Sequence, residues 1–223
     1  RQVGEEVQRK NKQLIKSNAE KDKFFSIIAH DLKSPFNSIM GFSELLLEQV
    51  REQDYKGIEA YAETILKSSG RAVELLMNLM YWARSQTGRI EFNPEINSLK
   101  GLFEETLLLF DDIAKQKNIL IKRDLSEHIE VSADKAMISA VLRNLVSNAI
   151  KFTHPGGTIH VSAELVADEI CVSVKEKGVG ISEDNIKKLF RIDENQSTLG
   201  TQNEKGTGLG LILCKEFMEK HGK

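Results

Sequence analysis

The stretch LRNLVSNAIKF, residues 142–152, decides how the second half of this chain is read. Asn144, Asn148 and Lys151 recur at helical spacing and share one face, while Ile138, Val141, Leu142, Leu145 and Ala149 supply the adjoining apolar stripe. Side-chain amide oxygens are ligands for a hard cation such as magnesium, and a nearby ammonium meets phosphate oxygens as a point charge. Taken alone, the same pattern also describes the wet side of an amphipathic helix.

Two glycine clusters follow. VKEKGVGIS, residues 174–182, ends an alternating run with Glu176 and then Gly178 and Gly180. GTGLGL, residues 206–211, comes after a polar stretch and precedes an apolar helical run. Glycine permits positive φ and close approach of backbone amides to a ligand, and a helix N-terminus favours phosphate. Either cluster alone is also an ordinary loop. An asparagine helix, an acid-glycine turn and a glycine-rich helix start, in that order, are much harder to obtain by chance.

The surrounding pattern is mixed. Residues 99–117 and 134–152 read as helices, and ILIKR at 119–123 as a strand. TIHVSAEL and EICVSVKE alternate apolar and polar residues on either side of VADE, a β-hairpin signature. Short helices are expected at 182–190 and 208–220, around the polar stretch 191–207. The fold class of this part is α+β, a sheet with helices on one face.

Upstream the chain is helical. Ile28, Leu32, Ile39, Phe42 and Leu46 recur at three-or-four spacing, as do Ile58, Ile65, Ala72, Leu76 and Leu79, with the polar LEQVREQDYKG between them. Two helices of about 25 to 45 residues make an antiparallel hairpin too thin to bury its own apolar stripes. A twofold homodimer forming a four-helix bundle is the simplest solution. Val3, Val7, Leu14, Phe24 and Ile28 extend the first helix backwards with a coiled-coil-like alternation, in which Lys10, Ser17 and Lys21 interrupt the seam.

Within that helix lies FFSIIAHDLKSP, residues 24–35. Asp31 is able to accept a hydrogen bond from one nitrogen of the His30 ring, fixing the tautomer and leaving the other nitrogen nucleophilic. Ser34 falls one turn further along the same face. Pro35 lacks the amide that would reach the Asp31 carbonyl, so the helix is expected to loosen or bend there. A surface histidine beside an acid is the plain alternative.

Bulk properties narrow the classes. With 223 residues, 40% hydrophobic and 29% charged, the chain has room for one or two globular domains. Its 31 basic and 33 acidic residues leave a net charge of -2 and no long block of one sign, so no nucleic-acid partner is expected. Cys171 and Cys214 lack metal-ligand spacing and form no disulfide framework, reading as small buried residues of a reducing compartment. No run approaches the roughly 18 to 20 apolar residues of a membrane-crossing helix. The N-terminal RQVGEEVQRKNKQ has no signal-peptide core. The chain starts mid-pattern without methionine, and a fragment of something longer is expected.

Together the motifs resemble those of the sensor histidine kinases of two-component systems. HDLKSP resembles the family's H box, NLVSNAIKF its N box, EKGVGI its first glycine box, LF at 189–190 its phenylalanine box, and GTGLGL its second glycine box. The resemblance implies a signalling helix over 1–23, a dimerisation and histidine-phosphotransfer domain over 24–88, and an ATP-binding domain of the Bergerat α+β sandwich type over 94–223. It implies ATP and magnesium as ligands, autophosphorylation of His30, transfer to a response-regulator receiver domain, and a cytoplasmic location within a larger sensor. By similarity Asn148 coordinates magnesium, Asn144 stays close to metal and phosphates, Lys151 touches the phosphate chain, and Glu176 accepts from the adenine amino group. The same similarity puts Phe152, Gly178, Gly180, Ile181, Gly206, Thr207, Gly208, Leu209 and Gly210 around the nucleotide. Residues 191–207 become the ATP lid, with Phe190 anchoring one end. At the position of Ser34, related kinases orient a water that dephosphorylates the response regulator.

Two departures from the family stand out. Glu176 replaces an aspartate, displacing the carboxylate by about one bond length. The chain also ends at Lys223, where the family commonly continues with two more strands, so an incomplete sheet is expected. Two rivals share the motifs: a hydrolysing ATPase, which would carry a glutamate base where this chain has Asn144, and a nucleotide-binding scaffold without catalysis. His128, His154, His160 and His221 read as structural or solvated, and Trp82 as packing on the linker or the ATPase domain.

Overall fold

The computed structural model of the chain describes residues 2–86, 91–126, 128–167, 169–191, 198–204, 206 and 208–222. The chain divides after residue 87 into two compact units.

The first unit is a helical hairpin of α1 (Gln2–Glu52) and α2 (Ile58–Gln86). The reversal is made by two left-handed residues, Gln53 at φ 57° and Gly57 at φ 86°, with Lys56 donating its amide to the Asp54 carboxylate at 3.1 Å. At 51 residues α1 exceeds the expected length. The apolar spacing of the first 23 residues runs into that of the next segment, and the helix continues through Pro35, whose ring is buried.

The Ser68 hydroxyl donates to that of Ser38 across the pair at 3.0 Å, fixing the antiparallel register. Fourteen residues along each helix from that bridge, about four turns, Phe24 and Trp82 meet and stack at 3.7 Å between ring centroids. Trp82, expected on the linker or the ATPase domain, is therefore a buried residue facing α1, and the register is the reason. Phe25 meets the same indole edge-on at 5.7 Å. Elsewhere on the hairpin Met40, Leu47, Leu66 and Val73 are more than half exposed.

In the second unit β1 (Glu95–Ser98) pairs antiparallel with β3 (Glu130–Ala133). A second sheet runs in the order β2 (Leu120–Asp124), β4 (Thr158–Val166), β5 (Glu169–Glu176), the first pair parallel and the second antiparallel. The β4–β5 hairpin is the one expected about VADE, and its turn takes Ala167 to φ 47°. Strands β1 and β3, four residues each, were not expected, because EINS and EVSA are too short to show a period.

The helix expected over 99–117 is two helices, α3 (Leu99–Leu108) and α4 (Asp111–Gln116). Leu109 and Phe110 turn their amides back onto Thr106 and Leu107, and Asp111 and Asp112 then open a new first turn, where acids suit the helix dipole.

Helix α5 (Lys135–Phe152) is the centre of the unit. Asp134 caps it by accepting the Met137 amide at 3.0 Å, and Thr153 ends it by turning extended. Leu142, Val146, Ala149 and Ile150 pack against Leu102, Phe103 and Leu107 of α3 and against Ile159 and Val161 of β4. Each of these side chains larger than alanine contributes roughly 1.5–3 kcal/mol on burial. The opposite face of the sheet carries exposed His160, Cys171 and Lys175, so the helices lie on one face as expected. Cys214, on α7 (Gly210–Lys220), is buried as expected, whereas Cys171 is exposed, contrary to expectation. Residue 171 falls on the wet phase of the β5 alternation. The short α6 (Glu183–Ile186) follows the first glycine cluster. Among the described residues β5 has no neighbour on its outer edge.

Candidate nucleotide site and phospho-acceptor histidine

In the hairpin unit the His30 side chain is 85% exposed, and its Nδ1 lies 3.1 Å from Asp31 Oδ1. In the Nδ1–H tautomer this contact is a hydrogen bond donated to the carboxylate, and it leaves Nε2 with its lone pair. Ser34, one turn on, is also exposed.

In the second unit the C-terminal end of α5 is the hub. Asn144 anchors its amide by donating Nδ2 to the Ala140 carbonyl at 3.0 Å, which turns Oδ1 toward the start of α7. There it meets Gly210 so closely that a side chain at 210 would collide with it. Asn148 and Lys151 are half-buried on the same helix. The Lys151 ammonium donates to the Thr198 carbonyl at 2.8 Å and lies 4.5 Å from the centre of the Phe152 ring. A Cβ at Gly206 would come within 2.6 Å of that ammonium, so the second glycine cluster lies directly against Lys151.

The first glycine cluster is fastened to the same helix end. Gly178 bridges Thr153, and Val179 donates its amide to the Phe152 carbonyl at 3.3 Å. A Cβ at Gly178 would collide with that carbonyl oxygen. Glu176 closes β5 opposite Ile159 and is exposed, as is Ile181 just beyond Gly180. Gly180 at φ 70° and Gly208 at φ 69° occupy the left-handed region that glycine alone adopts cheaply.

The expected residues thus divide. Asn144, Lys151, Phe152, Gly178, Gly206 and Gly210 are brought together. Leu209 turns its side chain into the core and offers only backbone. Phe190 is half-exposed with the Lys215 ammonium 5.9 Å from its ring centre, on α7. Thr207, Lys205 and residues 192–197 of the expected lid lie outside the described residues.

Helix α7 starts with no side-chain cap and no acid in its first turn, which suits an anionic ligand at its positive pole. No group of three or more His, Cys, Asp or Glu side chains gathers to hold a metal among the described residues. Amide oxygens completed by phosphate oxygens are the donor set on offer, and it fits magnesium.

Sequence reasoning missed Lys117, Thr153 and Thr201. Thr153 is fully buried and donates its hydroxyl to the Ala149 carbonyl at 2.6 Å. The Thr201 hydroxyl lies 2.8 Å from the Thr153 carbonyl and 3.3 Å from that of Lys151, and its amide donates to Lys151 at 3.0 Å. His221, read as structural, accepts the Asp134 amide on Nε2 at 3.0 Å.

Comparison with known proteins finds matches for both units. Residues 133–223 match the histidine kinase-, DNA gyrase B- and HSP90-like ATPases, and residues 20–88 match the His Kinase A phospho-acceptor domain. An ATPase domain carried behind a phospho-acceptor hairpin is the class these define. The chain belongs to the histidine kinase family.

Histidine protein kinase DivJ of Caulobacter vibrioides is 29% identical over 90% of this chain and 34% of its own length. The catalytic domain of histidine kinase ThkA is 33% identical with a TM-score of 0.51, covering 59% of this chain and 84% of that domain. ThkA in complex with the response regulator protein TrrA is 25% identical with a TM-score of 0.57, covering 84% of this chain and 57% of that one. The chain spans between 24% and 34% of the length of three of the curated relatives it matches. No described helix is long and apolar enough to cross a membrane.

Proposed function

We propose that this chain uses ATP to phosphorylate its own His30 and passes the phosphoryl group to an aspartate of a response-regulator receiver domain. The observation that carries the reading is the exposed His30 ring, its Nδ1 3.1 Å from Asp31 Oδ1, within a matched phospho-acceptor domain. Nε2 attacks the γ-phosphorus in line, the bond to the β-phosphate oxygen breaks, and ADP leaves. Asp31 offsets the charge that develops on the ring.

At the nucleotide, Asn148 and Asn144 are the metal-side amides, Lys151 meets the phosphate chain, and Glu176 accepts from the adenine amino group. Phe152, Gly178, Gly180 and Ile181 shape the adenine side, and Gly206, Thr207, Gly208 and Gly210 the phosphate side, with Phe190 at the lid. Magnesium supplies neutralisation of phosphate charge when bound. Asn144 lacks the carboxylate that a water-activating base needs, which favours transfer to protein over hydrolysis.

The domains are assigned as a signalling helix over 1–23, a phosphotransfer hairpin over 24–88 and an ATP-binding domain over 94–223. A homodimer is supported by the exposed Met40, Leu47, Leu66 and Val73, an apolar surface that a second hairpin would cover. A receiver-domain partner is supported by the likeness to ThkA, seen in complex with a response regulator. The exposed Ser34 hydroxyl, one turn from His30, is assigned a water-orienting role in dephosphorylating that partner. The chemistry belongs to the cytoplasm, where ATP is held.

Incubation with magnesium and γ-labelled ATP tests the reading. Acid-labile, base-stable label is expected on the chain and is expected to vanish in His30→Gln. Label retained in that variant refutes His30 as acceptor, and steady phosphate release without labelled protein refutes the kinase in favour of a hydrolase.

A further inference from the structure

We propose that Lys117 and Glu204 are positioning residues for this nucleotide site, a clasp that fixes segment 198–204 to the C-terminal end of α5 and so holds the Lys151 ammonium in place. The proposal rests on the reading of the site as one for ATP.

Lys117 follows α4, and its side chain is only 3% exposed. Burying an ammonium is costly unless each of its donors is met. Its three N–H groups have three oxygen partners: the Ile150 carbonyl at 2.8 Å, the Lys151 carbonyl at 3.0 Å and Glu204 Oε1 at 2.8 Å. Two of the three are orphan carbonyls at the end of α5, where a cation also suits the helix dipole. The third lies 87 residues away in sequence.

Glu204 spreads the hold along its own segment. Its Oε2 accepts the Gln202 amide at 2.7 Å, and its carbonyl accepts the Gly200 amide at 2.8 Å. Burial pushes the Glu204 carboxyl up, but hydrogen bonds from Lys117 and from the amides of Glu204 and Gln202 outweigh it, leaving the group below its ordinary range and ionised at neutral pH.

Gly200 shows how tightly the segment then lies on Lys151. A Cβ there would collide with Glu204 Oε2 and come within 2.6 Å of Lys151 Cγ and 2.8 Å of its carbonyl oxygen. The same segment presents Thr198, whose carbonyl receives the Lys151 ammonium at 2.8 Å. Lys151 is thus gripped at its carbonyl by Lys117 and Thr201, along its stem by Gly200, and at its tip by Thr198. Three of these four contacts belong to the segment that Glu204 fixes. Nothing in the polar stretch 198–204 announces this, and Lys117 belongs to none of the sequence motifs.

The test uses the full chain, with calorimetric binding of magnesium-ADP and the ATP dependence of His30 labelling as readouts. In Glu204→Gln, whose amide oxygen can still accept from Lys117, the KM for ATP and the Kd for ADP are expected to rise roughly tenfold, as loss of a charge-assisted hydrogen bond predicts, while kcat stays near wild type and unfolding remains cooperative at a somewhat lower temperature. Lys117→Met is expected to move the same constants the same way.

A purely structural role would add to any other defect, whereas a role exerted through Lys151 disappears once that ammonium is gone. In a Lys151→Ala background, Glu204→Gln is therefore expected to change nucleotide affinity by less than about twofold. Additive losses in that cycle, or wild-type nucleotide affinity in Glu204→Gln, overturn the proposal. Failure of the unsubstituted chain to bind magnesium-ADP removes the ATP reading and the positioning role with it, and is seen before any variant is compared.

Discussion

Gly178→Ala tests whether the first glycine cluster must lie on the end of α5. The added Cβ would collide with the Phe152 carbonyl oxygen and approach its carbon to 2.9 Å, and both atoms are backbone, unable to swing aside. Relief to an ordinary contact needs a shift of about 1 Å. The Val179-to-Phe152 hydrogen bond, already 3.3 Å, does not survive such a movement, and neither does the Thr153–Gly178 bridge. That one hydrogen bond, at about 0.5–1.5 kcal/mol, puts the stability loss at roughly 1 kcal/mol, too small to unfold a typical domain. Function suffers more, because Glu176 lies two residues away, and a 1 Å misplacement of a positioning group costs about a hundredfold in rate. Autophosphorylation with γ-labelled ATP is expected to fall by roughly ten- to a hundredfold, with circular dichroism and cooperative unfolding retained. Wild-type labelling with an unchanged KM for ATP would refute the reasoning.

Two further outcomes bear on packing. The Trp82 indole N–H is buried with no hydrogen-bond partner among the described residues. Trp82→Phe keeps the stack on Phe24 and removes an unsatisfied donor worth about 1–3 kcal/mol, so its stability is expected within about 1 kcal/mol of wild type. Trp82→Ala is expected to lose about 3–5 kcal/mol in denaturant unfolding, and equal damage from the two substitutions would sink the argument. Burial pushes the Cys214 thiol up to about 12, whereas Cys171 is exposed. At neutral pH Cys214 therefore stays protonated and unreactive. Mass spectrometry after iodoacetamide is expected to find Cys171 modified and Cys214 spared until the chain is unfolded, and equal labelling of the native chain would contradict the structure.

What could be read in the sequence was what repeats at short range. Asn144, Asn148 and Lys151 declare a shared face because helical period and side-chain chemistry coincide, and the β4–β5 hairpin declares itself by strict alternation around a short turn. Contacts that join distant stretches left no such trace. Lys117 looks like any lysine at the end of a charged helix, yet it is buried against Ile150, Lys151 and Glu204. Thr201 sits in a polar run with no period, and its partners Lys151 and Thr153 lie about 50 residues upstream. The break between α3 and α4 escaped because Leu108 and Leu109 continue the apolar composition while their side chains stay exposed. Trp82 was misplaced because the hairpin register, fixed by Ser38 and Ser68, is invisible to composition.

Helix α1 runs unbroken for 51 residues, a rod of about 75 Å, with His30 a little past its midpoint. Pro35 withholds the amide that the Asp31 carbonyl would otherwise receive. In mechanical terms the missing hydrogen bond makes Pro35 a compliant point in α1, within about a turn and a half of His30. The bearing of the His30 ring relative to the helix beyond Pro35 is therefore set across a point where the hydrogen-bond ladder is interrupted.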